Sequence, residues 1–342
     1  MKLKFAVYNV KWMRDLFHKD GKPKKVGQGS AGDKKDAKRS AQLAKVVTAI
    51  DPDILCIVEG PDTLKSGNKT ASKQLEAWRD LHALDSNYKG VHGIASPGQQ
   101  ELCALYRKNK VNIVHKPEKN AKRHPFDESF LVDTNDTLIK EQYKHFRPPL
   151  ELSVRKATDT SAEIGRIIVV HTKSKGIFDS VDMARFEQLS ERNRMKLFAE
   201  CFSVRERCDQ WLDKDPSLKL IVAGDVNDGF GLDYYEQRFR RSAVEILLGT
   251  VWEPDKILRH VLPKPKLNTY GWSPSSSRYK DRLTEDMFNV LIDHVLASKS
   301  VKFGDPLVWN PFPKDAPAKV KALKVELKEA SDHFPVSADI TL

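Results

Sequence analysis

Nothing in the 342 residues approaches the ~18 consecutive apolar residues that a membrane-spanning helix requires. The first segment, MKLKFAVYNVKW, alternates apolar and polar residues and holds too short an apolar run for a secretory leader. It reads as a strand beginning almost at Met1, and the expected location is cytoplasmic. Cysteine is scarce: Cys56, Cys103, Cys201 and Cys208 are far apart or lie in apolar or helical stretches. No CxxC pair occurs, so neither a zinc knuckle nor a disulfide framework is indicated, and a reducing compartment fits best. A short-period repeat and a low-complexity linker are absent too, which favours one domain over 1–342. With 40% hydrophobic and 31% charged residues, the balance is that of a soluble globular chain.

What is present in excess is positive charge. The formal charge is +11, from 58 Lys and Arg against 47 Asp and Glu, which points to a polyanionic partner. Much of it sits in HKDGKPKKVGQGSAGDKKDAKRS, His18 to Ser40, a Gly- and Lys-rich stretch without apolar periodicity. The expectation is a flexible basic loop at about 18–40, either simply solvated or an arm that contacts phosphate.

The remaining pattern alternates elements. KFAVYNV predicts a strand, SAQLAKVVTAI an amphipathic helix stopped by Asp51 and Pro52, and DILCIVE a second, buried strand. ASKQLEAWRDLHAL predicts a helix, and GVHGIAS, ELCALYRK and VNIVHK short antiparallel strands. An irregular stretch from about Pro117 to Arg147 precedes the strand pair PLELSVRK and EIGRIIVVHTKSK, a long charged helix from Asp179 to about Leu212, and the strand LKLIVAGD. A helix around 233–247, a Pro/Ser/Arg loop, a strand FNVLIDHVLAS and a last strand in SDHFPVSADITL complete the pattern.

Several apolar runs end in, or enclose, a residue fit for chemistry: Asn9, Glu59, His171, Asp225 with Asn227, Asp293, and Asp332 with His333. Singly, each is an ordinary turn former or buried polar group. Together they sit where a rigid sheet can hold metal or water in fixed geometry.

These segments, in this order, resemble the endonuclease/exonuclease/phosphatase superfamily, which includes pancreatic-type deoxyribonucleases, AP endonucleases, sphingomyelinases and inositol polyphosphate phosphatases. GDVND is close to the family's G-D-x-N, and SDHFPV to its terminal S-D-H-x-P-V. VVHTKSK with Lys173, LYRK with Arg107 and RPPLEL with Arg147 are similar to the bacterial nuclease-like branch. Val58, where the family usually has Gln, and Val226, where it often has an aromatic residue, depart from the pattern.

The resemblance implies an α/β (α+β) fold, a four-layer α/β/β/α sandwich of two mixed sheets with helices outside. It implies Mg²⁺ or Mn²⁺ held by Asn9, Glu59 and Asp332, since oxygen donors suit a hard cation. His333, oriented by Asp293, is expected to activate the attacking water; Asp225 and Asn227 to position it; and His171 to bond the phosphate or protonate the leaving oxygen. The loop TYGWSPSSSRYKDRL interleaves Trp272 and Tyr279 with Arg278, Lys280 and Arg282, a composition suited to stacking on bases and neutralising phosphates. Lys173, Arg107, Arg147, Trp272 and Arg278 are thus the candidate substrate-binding residues. The expected activity is a metal-dependent nuclease acting on DNA, or on RNA, as a monomer without a membrane partner. A phosphatase or phosphodiesterase for a small or lipid phosphate is the alternative, and a non-catalytic nucleic-acid-binding relative is a third reading.

Overall fold

The computed structural model describes residues 1–63, 70–96, 100–118, 125–177, 183–230, 234–262, 274–280 and 285–342. The chain enters on β1 (Lys2–Asn9), a 3-10 turn (Met13–Leu16) and α1 (Ala31–Ile50), then β2 (Ile54–Gly60) and α2 (Ala71–Leu81). β3 (Tyr88–His92), β4 (Glu101–Arg107) and β5 (Val111–His115) follow, then a ribbon of β6 (Ser129–Val132) and β7 (Glu141–Lys144) inside the stretch expected to be irregular. Next come β8 (Leu150–Lys156), β9 (Glu163–His171), α3 (Phe186–Lys214) and β10 (Leu220–Asp225). α4 (Tyr234–Phe239) and α5 (Ala243–Leu248) replace the single helix expected there, and β11 (Arg259–His260) follows. A second ribbon, β12 (Ser277–Lys280) and β13 (Met287–Val290), leads to β14 (Asp293–Ala297). The chain closes with β15 (Lys302–Val308), α6 (Ala318–Lys321), α7 (Lys324–Ala330) and β16 (Val336–Thr341).

Among the described residues, two six-stranded mixed sheets form, ordered β15-β16-β1-β2-β4-β3 and β11-β14-β10-β9-β8-β5. Strand alternation packs them. On β9, Ile167 and Val169 face the large core that also holds β1 and β2, while Ile168 and Val170 face a smaller core with Leu197, Phe198, Cys201 and Val204 of α3. β10 does the same, with Ile221 and Ala223 inward and Leu220 and Val222 toward α3. Strands buried on both faces read as continuous apolar runs, which is why LIVAG carries no polar residue. Leu43, Val46, Val47 and Ile50 of α1 and Leu75 and Trp78 of α2 bury against the other sheet, so helices cover both outer faces. No helix among the described residues is long and apolar enough to cross a membrane.

Two further sequence expectations need correction here. Residues 31–40 are helical, not part of a flexible loop. Ser30 forms a capping box with Asp33, its hydroxyl accepting from the Asp33 amide at 3.2 Å while Asp33 accepts from the Ser30 amide at 3.1 Å. Lys24 pins Asp33 (3.0 Å) and Asp36 (2.7 Å), tying the preceding loop to the helix. The run FNVLIDHVLAS is two strands, because the amides of Ile292 and Asp293 both turn to the Ser276 hydroxyl (3.1 and 2.9 Å) between β13 and β14.

Candidate active site

The site lies at one end of the crevice between the sheets and follows from strand register. β9 and β10 run parallel with His171 opposite Asp225, and β14 runs antiparallel to β10 with Asp293 opposite Asp225. Each of the three is the next inward position after an inward apolar residue: Val169, Ala223 and Val295. The close approach of β9 and β10 also explains Gly224. Its φ is +152°, and a Cβ there would lie 1.9 Å from the Val170 carbonyl oxygen.

The opposite wall is the end of β1 and β2. Asn9 pairs with Val58 in register, so strict alternation would send Glu59 toward the helices. Instead a register irregularity between Ile57 and Gly60, with Glu59 at φ 59°, swings the carboxylate into the crevice. There Glu59 accepts from the Asn9 side-chain amide at 3.3 Å and from the Trp12 backbone amide at 2.8 Å. Asn9 also donates to Asp225 across the crevice at 3.0 Å, while its oxygen accepts from the Lys11 amide at 3.0 Å. Asn9 is therefore a bridge between two carboxylates, with its oxygen turned to the backbone. Lys11 (φ 50°) and Trp12 (φ 48°) are also left-handed, a conformation costing about 1–3 kcal/mol each at bulky residues. The Arg39 guanidinium holds this turn by donating to the carbonyls of Val10 (3.0 Å), Lys11 (2.6 Å) and Trp12 (3.1 Å).

The loop before β16 completes the site. Ser331 donates to the Asn9 carbonyl at 2.8 Å, Asp332 takes the Lys11 ammonium at 2.9 Å, and His333 Nδ1 meets Asp293 Oδ2 at 2.8 Å. His333 Nε2 then lies 3.9 Å from Asp225 Oδ2, and His171 Nε2 lies 3.7 Å from the same oxygen. All eight expected catalytic and metal residues thus meet or adjoin one crevice: Asn227 flanks it, its amide donating to the Thr172 carbonyl at 3.0 Å.

The two histidines are electrostatic opposites. Burial, with Arg147 and His333 nearby, holds His171 well below its ordinary value, so it is neutral. Burial also opposes charge on His333, but Asp293, Asp225 and Asp332 outweigh it and push it up to about 10. Burial pushes Asp225 up to about 7, partly offset by His333.

The donor set fits a hard divalent cation. One ligand atom each of Asp225, Asp293 and His333 lies within 4.8 Å of the others, and Asp293 Oδ1 is buried with no hydrogen-bond partner among the described residues. Glu59 and Asp332 add two more carboxylates, one of them already facing a cation in Lys11.

The candidate substrate residues divide. Arg147 lies at the site, donating to the His171 carbonyl (3.3 Å) and to Gln100 (2.8 Å). Lys173 follows the same strand end, its amide on Glu200 at 2.7 Å. Arg278 adjoins it as well, its amide donating to the Asp332 carbonyl at 3.0 Å. Trp272 and Arg282 lie outside the described residues. Arg107 does not belong to the site: β4 runs antiparallel to β2, so its last residue is at the far end, bound to Asp51, Asp53 and Asp85. Sequence reasoning missed Lys11, Arg39 and Ser276, whose hydroxyl donates to Asp293 at 2.8 Å. Only Lys11, two residues after Asn9, carried a signal by proximity. Asp228, the second aspartate of GDVND, is structural, buried against Lys175 (2.7 Å) and Arg194 (2.8 Å).

No protein-family model and no curated protein matches the chain. Solved structures do. An endonuclease/exonuclease/phosphatase protein from Bacteroides vulgatus is 14% identical, with 100% of this chain and 99% of that one covered at a TM-score of 0.51. The human Nocturnin catalytic domain, solved with a bound sulfate anion, is 12% identical, with 99% of this chain and 94% of that one covered at a TM-score of 0.50. Over its whole length, the chain has the fold of the endonuclease/exonuclease/phosphatase superfamily.

Proposed function

We propose that this protein is a divalent-metal-dependent phosphoesterase, and specifically a nuclease that cleaves a phosphodiester by attack of an activated water. The observation that carries this reading is the register of His171, Asp225 and Asp293 on three adjacent strands, facing Asn9, Glu59 and the Asp332–His333 loop. Glu59, Asp332 and Asp225 would hold Mg²⁺ or Mn²⁺. A cation bound there would supply Lewis acidity to a phosphoryl oxygen and would offset the carboxylate charge that favours a proton on His333.

The protein's own groups then have distinct work. Asp293 fixes the His333 ring through Nδ1, leaving Nε2, on the Asp225 side, to take a proton from water. Ser276 holds Asp293 in turn. His171, kept neutral, can donate one N–H to a phosphate oxygen without adding a buried charge. Asn9 keeps Glu59 and Asp225 at a fixed separation, and Asn227 borders the same turn.

Nucleic acid is favoured over a small phosphoester by the +11 charge and by the basic wall beside His171. Lys173 is held below its ordinary value by burial and then by Lys196, Arg147 and Arg192, with Glu200 partly offsetting them. The test is hydrolysis of plasmid, single-stranded DNA, RNA and bis-p-nitrophenyl phosphate, each with Mg²⁺, Mn²⁺ or chelator. Metal-dependent cleavage of a polynucleotide is expected. Activity that persists in chelator, or none on any substrate with either metal, would overturn the reading.

A further inference from the structure

A cavity of about 820 Å³ opens beside Asp332, between the first half of α1, α7 and the β12 strand. Its size is within the ~300–1,000 Å³ range of pockets that take a small organic ligand. Two kinds of surface meet in it. Trp12, 37% exposed, stands in one wall, with the Arg14 guanidinium 4.6 Å from its ring. Phe312 stands in another, with the Arg278 guanidinium carbon 4.1 Å from its ring centre.

The charges are unequal in availability. Each of the four lining acids already has a cation: Asp15 has Arg14 (3.4 Å), Asp36 has Lys24 (2.7 Å), Glu329 has Lys38 (3.1 Å) and Asp332 has Lys11 (2.9 Å). The lining cations Lys35, Arg278 and Lys328 have no carboxylate within 4.0 Å among the described residues. Arg278 Nε, moreover, is buried without a hydrogen-bond partner among the described residues. An exposed indole and cations without a carboxylate partner among the described residues, in one cavity, suit the two halves of a nucleotide, a π-surface and an anion. The left-handed pair Lys11 and Trp12, held by Arg39, is the device that turns the indole toward this space while Lys11 reaches Asp332.

We infer that the cavity is a nucleotide subsite for a single strand: one base stacks on Trp12, and its flanking phosphates meet Lys35, Arg278 and Lys328. The inference rests on the phosphodiesterase reading of the crevice and adds to it the strand state and a binding position on the Asp332 side. A duplex keeps its base faces covered, so stacking on Trp12 requires an unpaired base.

The test measures binding in chelator, where a metal-dependent nuclease cannot cut, by anisotropy of a labelled six-nucleotide oligothymidylate and of a six-unit abasic oligomer with the same phosphates. The unaltered protein should prefer the base-bearing strand. Trp12→Ala should weaken that strand about tenfold and leave the abasic one nearly unchanged, while Trp12→Phe, which keeps a ring, should retain most of the preference. Replacing Lys35 and Lys328 by Ala should weaken both oligomers alike and reduce the salt slope by about 0.7 for each phosphate no longer neutralised. Equal binding of the two oligomers, or a preference that survives in folded Trp12→Ala, would overturn the subsite. Thymidine monophosphate displacing the strand at similar concentration would overturn the strand and leave a mononucleotide site. Hydrolysis of bis-p-nitrophenyl phosphate by the unaltered protein separates the two levels: its absence with both metals strikes the crevice reading, whereas its presence with no base preference strikes the subsite alone.

Discussion

Replacing Arg107 by methionine should destabilise the fold and leave hydrolysis intact. The guanidinium donates to Asp53 (3.0 Å), Asp85 (2.9 Å) and Asp51 at the end of the sheet opposite the crevice. The Asp51 side chain is 61% exposed, so that pair is worth about 0–1 kcal/mol. Asp53 is 6% exposed, and removing one partner of a buried pair costs about 3–5 kcal/mol. Lys110 (2.7 Å) and the Lys4 amide (2.9 Å) still hold Asp53, which moves the expected cost to the lower end, about 3 kcal/mol. Methionine retains an apolar stem against Tyr88, over whose ring the guanidinium rests at 5.1 Å. For a chain of this size the thermal midpoint should fall by about 5 °C. The loss should also depend on pH. Burial alone would push the Asp53 carboxyl up, but hydrogen bonds from Lys110, Lys4 and Arg107 outweigh it and hold it below the usual 3.8. A carboxyl lowered in the folded state adds stability that is complete above 3.8 and disappears as pH falls through its folded value. Urea unfolding of both proteins near neutrality and in acid should therefore show a full gap that narrows below that point. Loss of hydrolysis with an unchanged midpoint would refute the reasoning and return Arg107 to the substrate path.

Three further outcomes are expected. His333→Ala should lower kcat at least ~10²-fold with KM nearly constant, and a raised KM with kcat held would make His333 a binding residue instead. Glu59→Gln should shift the metal-activation curve by ~10-fold or more, so an unchanged curve removes Glu59 from the cation site. Ser30→Ala should cost about 1 kcal/mol through loss of the α1 cap, read from the unfolding midpoint; no change would mean that residues 31–40 are not held as helix in solution.

Arg107 also marks the limit of what the sequence makes legible. The six strand-end segments are visible because an apolar run that ends in a polar residue is a local signal, and His171, Asp225 and Asp293 are legible in that way. Which end of the sheet a residue occupies depends on strand direction, a long-range property: β4 turns back on β2, so Glu101 comes to the crevice side and Arg107 leaves it. The start of α1 is misread for a local reason, since the Gly and Lys composition of 18–40 obscures a Ser-x-x-Asp cap that the spacing itself displays.

Glu59 is the harder case, because its identity is legible and its placement is not. Alternation from Val58 assigns it to the helix-covered face, and only the backbone irregularity at φ 59° reverses that. The same holds for Lys11 and Trp12, whose left-handed backbone depends on Arg39, a residue 27 or more positions further along. Strain of this kind persists only where surrounding contacts over-determine it, and here those contacts end on Asn9, Glu59 and Asp332. The three positions where a periodic reading goes wrong are thus clustered at one wall of the crevice, where the backbone departs from regular strand geometry to bring carboxylates, an ammonium and an indole together.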